Sequence, residues 1–143
     1  NTPKTAFVAS FVGTLNLLEA TVQDARSGLV AIDDQVVSVG KQIDASAGQK
    51  ISLALRPEAF TVVNGSAPDA ANTVKGTIED TYFLGSVMRL RVCVGAQRIN
   101  ADIFNNLNLQ MPQIGQTITL SFMPEACMIV EKPAEVVAAA AAI

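Results

Sequence analysis

The chain has 143 residues, of which 50% are hydrophobic and only 16% are charged, and its formal net charge is -3. This length suits one domain or two small ones, with enough chain to bury a sizeable core. The slightly acidic balance excludes the strongly basic face that binds nucleic acid or an anionic membrane surface. The sequence contains no His and its two cysteines are far apart, so neither a zinc site nor a nucleophile–base pair is expected. We therefore expect no enzyme in this chain alone, and we interpret Cys93 and Cys127 as buried free thiols.

Residues 1–13 predict a short helix. Pro3 suits the first helical position and Gly13 suits the C-terminal stop. Phe7 and Phe11 are four residues apart, which makes one face of this helix apolar. Because so short a helix is marginal alone in water, it must dock either on its own domain or on a neighbouring one.

The pattern changes to period two after Gly13 and predicts only short strands, separated by turns rich in Gly, Ser, Asn and Pro. Many short strands at close spacing predict an all-β sandwich or barrel. The predicted strands are 15–22, 29–32, 36–39, 51–55, 60–63, 74–82, 87–94, 98–103, 118–122 and 128–130.

One stretch of the sequence occurs twice. Residues 48–63 and 115–130 share eight of sixteen positions, including the opening Gly-Gln and the later Pro-Glu-Ala. A second pair lies upstream, where "NLLEATV" from Asn16 resembles "NTVKGTI" from Asn72. We infer an internal duplication in which each half opens with the Asn strand and closes with the Gly-Gln strand.

The duplication divides the chain into a first lobe, residues 14–71, and a second lobe, residues 72–131. Each lobe of roughly 60 residues would be marginal alone, so we expect the two to pack together. The remaining residues 132–143 form an alanine-rich tail of low complexity, to which we assign no function. The chain begins with Asn1 rather than Met and shows no leader pattern, so we expect a piece cut from a longer protein.

Two residues that flank Pro57 invite interpretation as a site. Arg56 and Glu58 could form an ion pair, take part in catalysis or contact a partner. The second copy of the repeat has Met123 in place of Arg56 but keeps the Pro-Glu pair. This favours a structural corner, in which only the Arg is particular to the first half.

Three arginines are the clustered cations of the second half: Arg89, Arg91 and Arg98. Arg89 and Arg91 share one face of a predicted strand, opposite its apolar residues. They could receive an anion or an acidic partner, or they could belong to a solvated outer face. The glycines form no phosphate-binding loop.

Four segments, in this order, resemble a known family: "FVASFVGTLNLLEATV", "GQKISLALRPEAF", "GTIEDTYFLGSVMRLRV" and "GQTITLSFMPEACMIV". They are similar to the C-terminal TOBE (transport-associated OB) regulatory domains of ABC-importer ATP-binding subunits, of the spermidine/putrescine type and its relatives. The resemblance covers residues 5 to 131. It implies a mainly β, OB-like barrel or sandwich with two similar lobes and a short N-terminal helix.

The resemblance also implies what lies outside this chain. The parent protein would be an ABC-transporter ATPase whose nucleotide-binding domain holds ATP, Mg and the catalytic residues, so this fragment needs no cofactor or metal of its own. Residues 1–13 would form the junction with that missing domain, against which Phe7 and Phe11 would dock. The partners would be a second ATPase subunit in a homodimer and, through the ATPase domain, the membrane permease subunits. The protein would be cytoplasmic, at the inner face of the bacterial membrane.

Two other classes of function stay open beside a regulatory and dimerisation role. Related domains sense oxyanions, and such a module would need anion donors, for which Arg89, Arg91 and Arg98 are the candidates. An OB-fold nucleic-acid binder would need a basic groove with stacking aromatics, which this acidic chain with no Trp lacks.

Overall fold

The computed structural model describes residues 15–104 and 112–130. The predicted helix at 1–13, with Phe7 and Phe11, and the tail at 132–143 lie outside the described residues. Within them, the two short helical elements are single 3₁₀ turns, and no helix there is long and apolar enough to cross a membrane. The strands are β1 (Asn16–Asp24), β2 (Leu29–Ile32), β3 (Gln35–Ser38), β4 (Lys50–Leu55), β5 (Thr61–Val62), β6 (Asn72–Leu84), β7 (Val87–Val94), β8 (Gln97–Phe104), β9 (Thr117–Phe122) and β10 (Met128–Val130).

Each described strand matches a predicted one to within two residues at either end. The strands form two five-stranded antiparallel sheets. The first has the order β10-β4-β1-β2-β3 and the second β5-β9-β6-β7-β8. In both sheets the strand that begins with Asn is central, with the Gly-Gln strand on one side and a hairpin on the other. The predicted mainly β, OB-like class with two similar lobes is therefore confirmed.

The two sheets exchange their last strands. Strand β10, from the second half of the sequence, pairs with β4, whereas β5, from the first half, pairs with β9. Neither five-stranded sheet is therefore built from one half alone. The division of the sequence into lobes at 14–71 and 72–131 stays a prediction. Each hydrogen-bonded sheet contains one strand from the other side of that division.

The exchanged strands change the burial of the repeated Gly-Gln strands. Alternation predicts that Ala54 and Ser121 face outward, but their exposed fractions are only 1% and 3%. Ala54 lies beside Met128 in the first sheet, and Ser121 lies beside Thr61 in the second. The expectation that these two residues are open to solvent is wrong, because each is small and lies between larger side chains on both neighbouring strands, one of which is the exchanged edge strand.

The repeated Gly-Gln pair forms the same turn in both halves. Gly48 and Gly115 each have a φ of 89°, in the left-handed region that glycine adopts without steric cost. The Gln49 side-chain oxygen accepts a hydrogen bond from the Ser46 N–H, while the Gln49 N–H donates to the Ser46 carbonyl. Gln116 repeats both bonds with the residue three positions before it. The repeated Gly-Gln pair is therefore the turn that leads into the Gly-Gln strand of each half.

The repeated Pro-Glu-Ala forms the turn that follows each Gly-Gln strand. The 3₁₀ turns Pro57–Ala59 and Pro124–Ala126 directly follow β4 and β9. Proline has no N–H to give to a ladder, so each strand ends before it, as predicted. Beyond the turns, one cluster of buried side chains draws on both sheets, and in it the rings of Phe60 and Phe122 meet edge to face at 5.4 Å.

Candidate functional site

The two duplicated asparagines join one sheet to the other. Asn16, at the start of β1, donates from Nδ2 to the Asn100 carbonyl (2.9 Å) and accepts from the Asn100 N–H (2.8 Å). Asn72, at the start of β6, makes the same two bonds to the backbone of Ser38, at 2.7 and 2.8 Å. Both asparagines are buried. We call such a reciprocal pair of bonds an amide clasp.

Two further amide clasps repeat this arrangement nearer the surface. The Gln97 amide makes two bonds to the backbone of Glu19, at 2.8 and 2.7 Å. The Gln35 amide does the same with Lys75, at 2.9 and 2.7 Å. The four clasps attach β8 to β1 and β3 to β6, so side-chain amides bind the edge strand of each sheet to the central strand of the other, where no backbone ladder runs.

Sequence reasoning missed the role of these amides. It used Asn16 and Asn72 only as landmarks of the duplication. A signal was present, because a polar residue kept at the same place in two apolar strands needs a partner once it is buried. The partners could not be named from the sequence, since Asn100 and Ser38 lie in different strands of the opposite half.

Arg89, one of the three arginines proposed as anion donors, forms an ion pair with a carboxylate. Its guanidinium binds both oxygens of Asp102, at 2.7 and 2.9 Å, and both side chains are partly buried. The hydrogen bond to Asp102 raises the pKa of Arg89, and the nearby charge of Glu58 acts in the same direction. This two-point geometry is the strong form of an ion pair.

Arg91 and Arg98 lie in a different cluster, around Glu79. The Glu79 carboxylate is 2.7 Å from Nε of Arg98 and 3.6 Å from Nε of Arg91. The thiol of Cys93 donates to the same carboxylate at 3.3 Å. Hydrogen bonds from Arg98 and Cys93 lower the pKa of Glu79. The structure therefore separates the three arginines into two clusters, each with its own carboxylate.

Arg56 and Glu58 border a shallow cavity of about 300 Å³ beside the first 3₁₀ turn. Glu125, the counterpart of Glu58 in the second 3₁₀ turn, lines the same cavity. The two Pro-Glu corners therefore meet at one place on the molecule. Across the described ranges, no group of three or more His, Cys, Asp or Glu side chains is placed to hold a metal ion.

A larger cavity of about 430 Å³ lies on the other side of Glu58. We call it the Phe104 pocket, after the side chain at its rim, which is 79% exposed. Its walls come from the first 3₁₀ turn, β5, the start of β7 and the end of β8. The lining residues are Glu58, Phe60, Thr61, Val62, Val87, Asp102, Ile103 and Phe104.

The two thiols differ in their surroundings. Cys127 is buried, as expected, and burial raises the pKa of its thiol to about 11. Cys93 is only half-buried, so the expectation of a core thiol is wrong there. It belongs to the outer row of β7, and its hydrogen bond to Glu79 raises its pKa.

We expect alkylation of the native chain near pH ~8 to reach Cys93 slowly and to spare Cys127, because the thiolate is the reactive form. Glu79→Gln removes the carboxylate but leaves Arg91 and Arg98 nearby, so the pKa of Cys93 should fall. The iodoacetamide alkylation rate of Cys93, followed by mass spectrometry, should then rise several-fold. An unchanged rate would show that the carboxylate does not control this thiol.

Comparisons with known proteins agree with this architecture. The sequence model of the TOBE domain matches residues 53–130, more than half of the chain. The spermidine/putrescine import ATP-binding protein PotA of Thermobifida fusca is 30% identical over 137 residues, which cover 87% of this chain and 33% of that protein. The sulfate/thiosulfate import ATP-binding protein CysA 2 of Chromobacterium violaceum is 38% identical over 91 residues, covering 63% and 23%. The chain thus spans about a third of the length of the first relative and less of the second.

Among solved structures, the cytoplasmic molybdate-binding protein ModG superposes with a TM-score of 0.68 over 82% of this chain and 96% of that chain. At 11% identity this likeness shows the fold alone. The family resemblance found in the four sequence segments is confirmed, and the chain belongs to the TOBE domain family.

Proposed function

We propose that this chain is the C-terminal regulatory domain of the ATP-binding subunit of a bacterial ABC importer, without catalytic residues of its own. The observation that carries the proposal is the similarity along 87% of the chain to a spermidine/putrescine import ATP-binding protein. ATP and Mg would bind in the nucleotide-binding domain of the parent ATPase. The partners would be a second ATPase subunit and, through the ATPase domain, the permease at the cytoplasmic face of the membrane.

The architecture supports a mechanical role. The exchanged strands and the four amide clasps tie both halves into one body. A domain that holds two ATPases together while their nucleotide sites open and close must transmit force without coming apart. The outer face of β6, β7 and β8, with Glu79, Arg91 and Arg98, remains our candidate for polar contact with a partner.

Oxyanion sensing is supported less well. The fold is shared with a molybdate-binding protein, but an oxyanion needs donors that are not already neutralised. Arg89 faces Asp102, and Arg91 and Arg98 face Glu79. A nucleic-acid role is also disfavoured, because the net charge of the chain is -3.

The proposal predicts that this chain can replace the corresponding region of a related importer subunit. We would fuse it to the ATPase domain of the T. fusca relative and measure spermidine uptake in cells that lack their own subunit. The fusion should restore uptake well above the level given by the ATPase domain alone. Equal uptake from the two proteins, with the fusion folded and expressed, would contradict the proposal.

Pairing is tested separately, by light scattering of the isolated chain over a series of concentrations. A molar mass that rises from monomer to dimer would support self-pairing through this domain. A monomer at every concentration would contradict autonomous pairing, while leaving the fusion experiment to decide the regulatory role.

A further inference from the structure

The Phe104 pocket lies between β5 and β8, the two outermost strands of the second sheet. No backbone ladder joins these two strands in the described residues, so a gap stays between them. Phe60 and Ile103 are its buried lining residues, while Val62 and Val87 are half-buried. Its volume of about 430 Å³ falls in the usual range for small-molecule sites, about 300–1,000 Å³. The pocket can therefore receive the apolar body of a small organic molecule.

The charged side chains in the described lining of this pocket are two carboxylates, Glu58 and Asp102. Asp102 is neutralised by its two-point ion pair with Arg89. Glu58 is exposed and takes part in none of the ion pairs found among the described residues. Arg56 lines the smaller cavity on the other side of Glu58. The lining thus keeps one negative charge at the surface, which attracts a cation and repels an anion.

An exposed aromatic ring borders the same pocket. Phe104 is 79% exposed at the rim, so one face of its ring is open to a ligand. The face of an aromatic ring is negative and attracts a cation that lies within about 6 Å of its centre. A carboxylate adds charge-assisted hydrogen bonds from an ammonium group. The pocket therefore combines an apolar lining with two groups that select a positive charge.

We propose that the Phe104 pocket binds an organic ammonium ion. The apolar body lies against the buried lining, and the ammonium group lies between Glu58 and the ring of Phe104. The proposal goes beyond the regulatory role and does not depend on it, because the site belongs to this chain alone. It also differs from oxyanion sensing in the sign of the ligand charge, and the described lining contains none of Arg89, Arg91 and Arg98.

Titration of the full 143-residue chain with phenethylammonium tests the proposal. The matched probes are phenethyl alcohol and phenylpropanoate, which keep the phenyl body and make the polar end neutral or negative. Two-dimensional NMR spectra of the backbone amides report the affinity and the location together. We expect phenethylammonium to bind in the millimolar range, as befits so small a ligand. The largest shifts should fall on Thr61, Val62, Val87 and Phe104.

The charge of the probe should decide its affinity. One ion pair at the surface and one cation–aromatic contact together predict that the alcohol binds about three- to tenfold more weakly than the ammonium ion. Phenylpropanoate should bind more weakly still, because Glu58 repels it. Equal affinities of the three probes, or tighter binding of phenylpropanoate, would overturn the proposal. Shifts centred outside the pocket, or no saturation by phenethylammonium well above millimolar concentration, would overturn it too.

Two pairs of variants assign the roles of the side chains, and all four positions are exposed, so the fold should tolerate each change. Glu58→Gln should weaken binding of the ammonium ion about threefold, whereas Glu125→Gln, at the counterpart residue outside the described lining, should not change it. Phe104→Ala should weaken it several-fold, and Phe83→Ala, which removes another exposed ring, should not. If the two members of either pair bound equally well, the role given to Glu58 or to Phe104 would be refuted.

Discussion

Replacing Asn16 by Ala is expected to lower the free energy of unfolding by about 2–4 kcal/mol, since an unpaired buried polar group costs about 1–3 kcal/mol. The substitution removes both bonds of a clasp and leaves the N–H and the carbonyl of Asn100 without their partner. The Asn side chain is only 5% exposed, so water replaces it poorly. Asn72→Ala should have the same effect through Ser38.

The measurement is urea unfolding of each variant, with comparison of the transition midpoints at unchanged slope. Matched controls are Gln97→Ala and Gln35→Ala, which break the clasps nearer the surface. Water can satisfy the groups exposed there, so each control should cost less than about 1 kcal/mol. If Asn16→Ala and Gln97→Ala lowered the stability equally, burial of the clasp would not be the cause.

A second readout separates the clasp from general loss of packing. In the Asn16→Ala variant, the amide of Asn100 should lose its protection from hydrogen exchange, while the amide of Ser38 keeps it. Asn72→Ala should reverse this pattern. Uniform loss of protection over both sheets would mean that the effect is global and that the two clasps do not act locally.

The strands were predictable from sequence for a physical reason. Alternation with period two is what a sheet with one buried face requires, and in β7 it places Met88, Leu90 and Val92 inside. Proline and the Gly-Gln turn then fix where the repeated strands end and begin. These signals are local, so a single sequence contains them.

The exchange of β5 and β10 could not be predicted, because the sequence of a strand of two or three residues does not indicate which strand it pairs with. The pairing of Arg89 with Asp102 was within reach. A two-residue turn at Gly95-Ala96 fixes the register of β7 on β8 and sets these two side chains opposite each other. The contacts of Glu79 with Arg91 and Arg98 could not be predicted, since Glu79 occupies a β-bulge in β6 that alternation does not reveal.

Gly76→Ala gives the second large effect that we expect, a loss of about 2–3 kcal/mol of stability from overpacking. Gly76 lies in the middle of β6, beside Ile118 of β9. A Cβ placed there would collide with the backbone carbonyl of Cys93 and would lie 2.6 Å from Cγ1 of Val92. Its φ is not in the left-handed region, so close packing and not backbone conformation requires the glycine.

The duplicated half supplies the matched control. Ala20 occupies the position that corresponds to Gly76, is only 1% exposed and accommodates its methyl group. Ala20→Gly should cost about 0.5–1 kcal/mol, the usual penalty for glycine inside a strand. Thermal and urea unfolding would measure the stability change for Gly76→Ala in one half and for Ala20→Gly at the equivalent position of the other half.

The sign of the Gly76→Ala effect is the decisive result. Propensity alone predicts that Ala in place of Gly stabilises a strand, because it reduces the freedom of the unfolded chain. The collision with Cys93 predicts the opposite sign, since a backbone carbonyl moves only if β7 itself shifts. A stabilised variant would show that β7 can withdraw from β6 at little cost. A destabilised one would show that the two halves share a topology but not a packing, so that equivalent positions no longer tolerate the same residue.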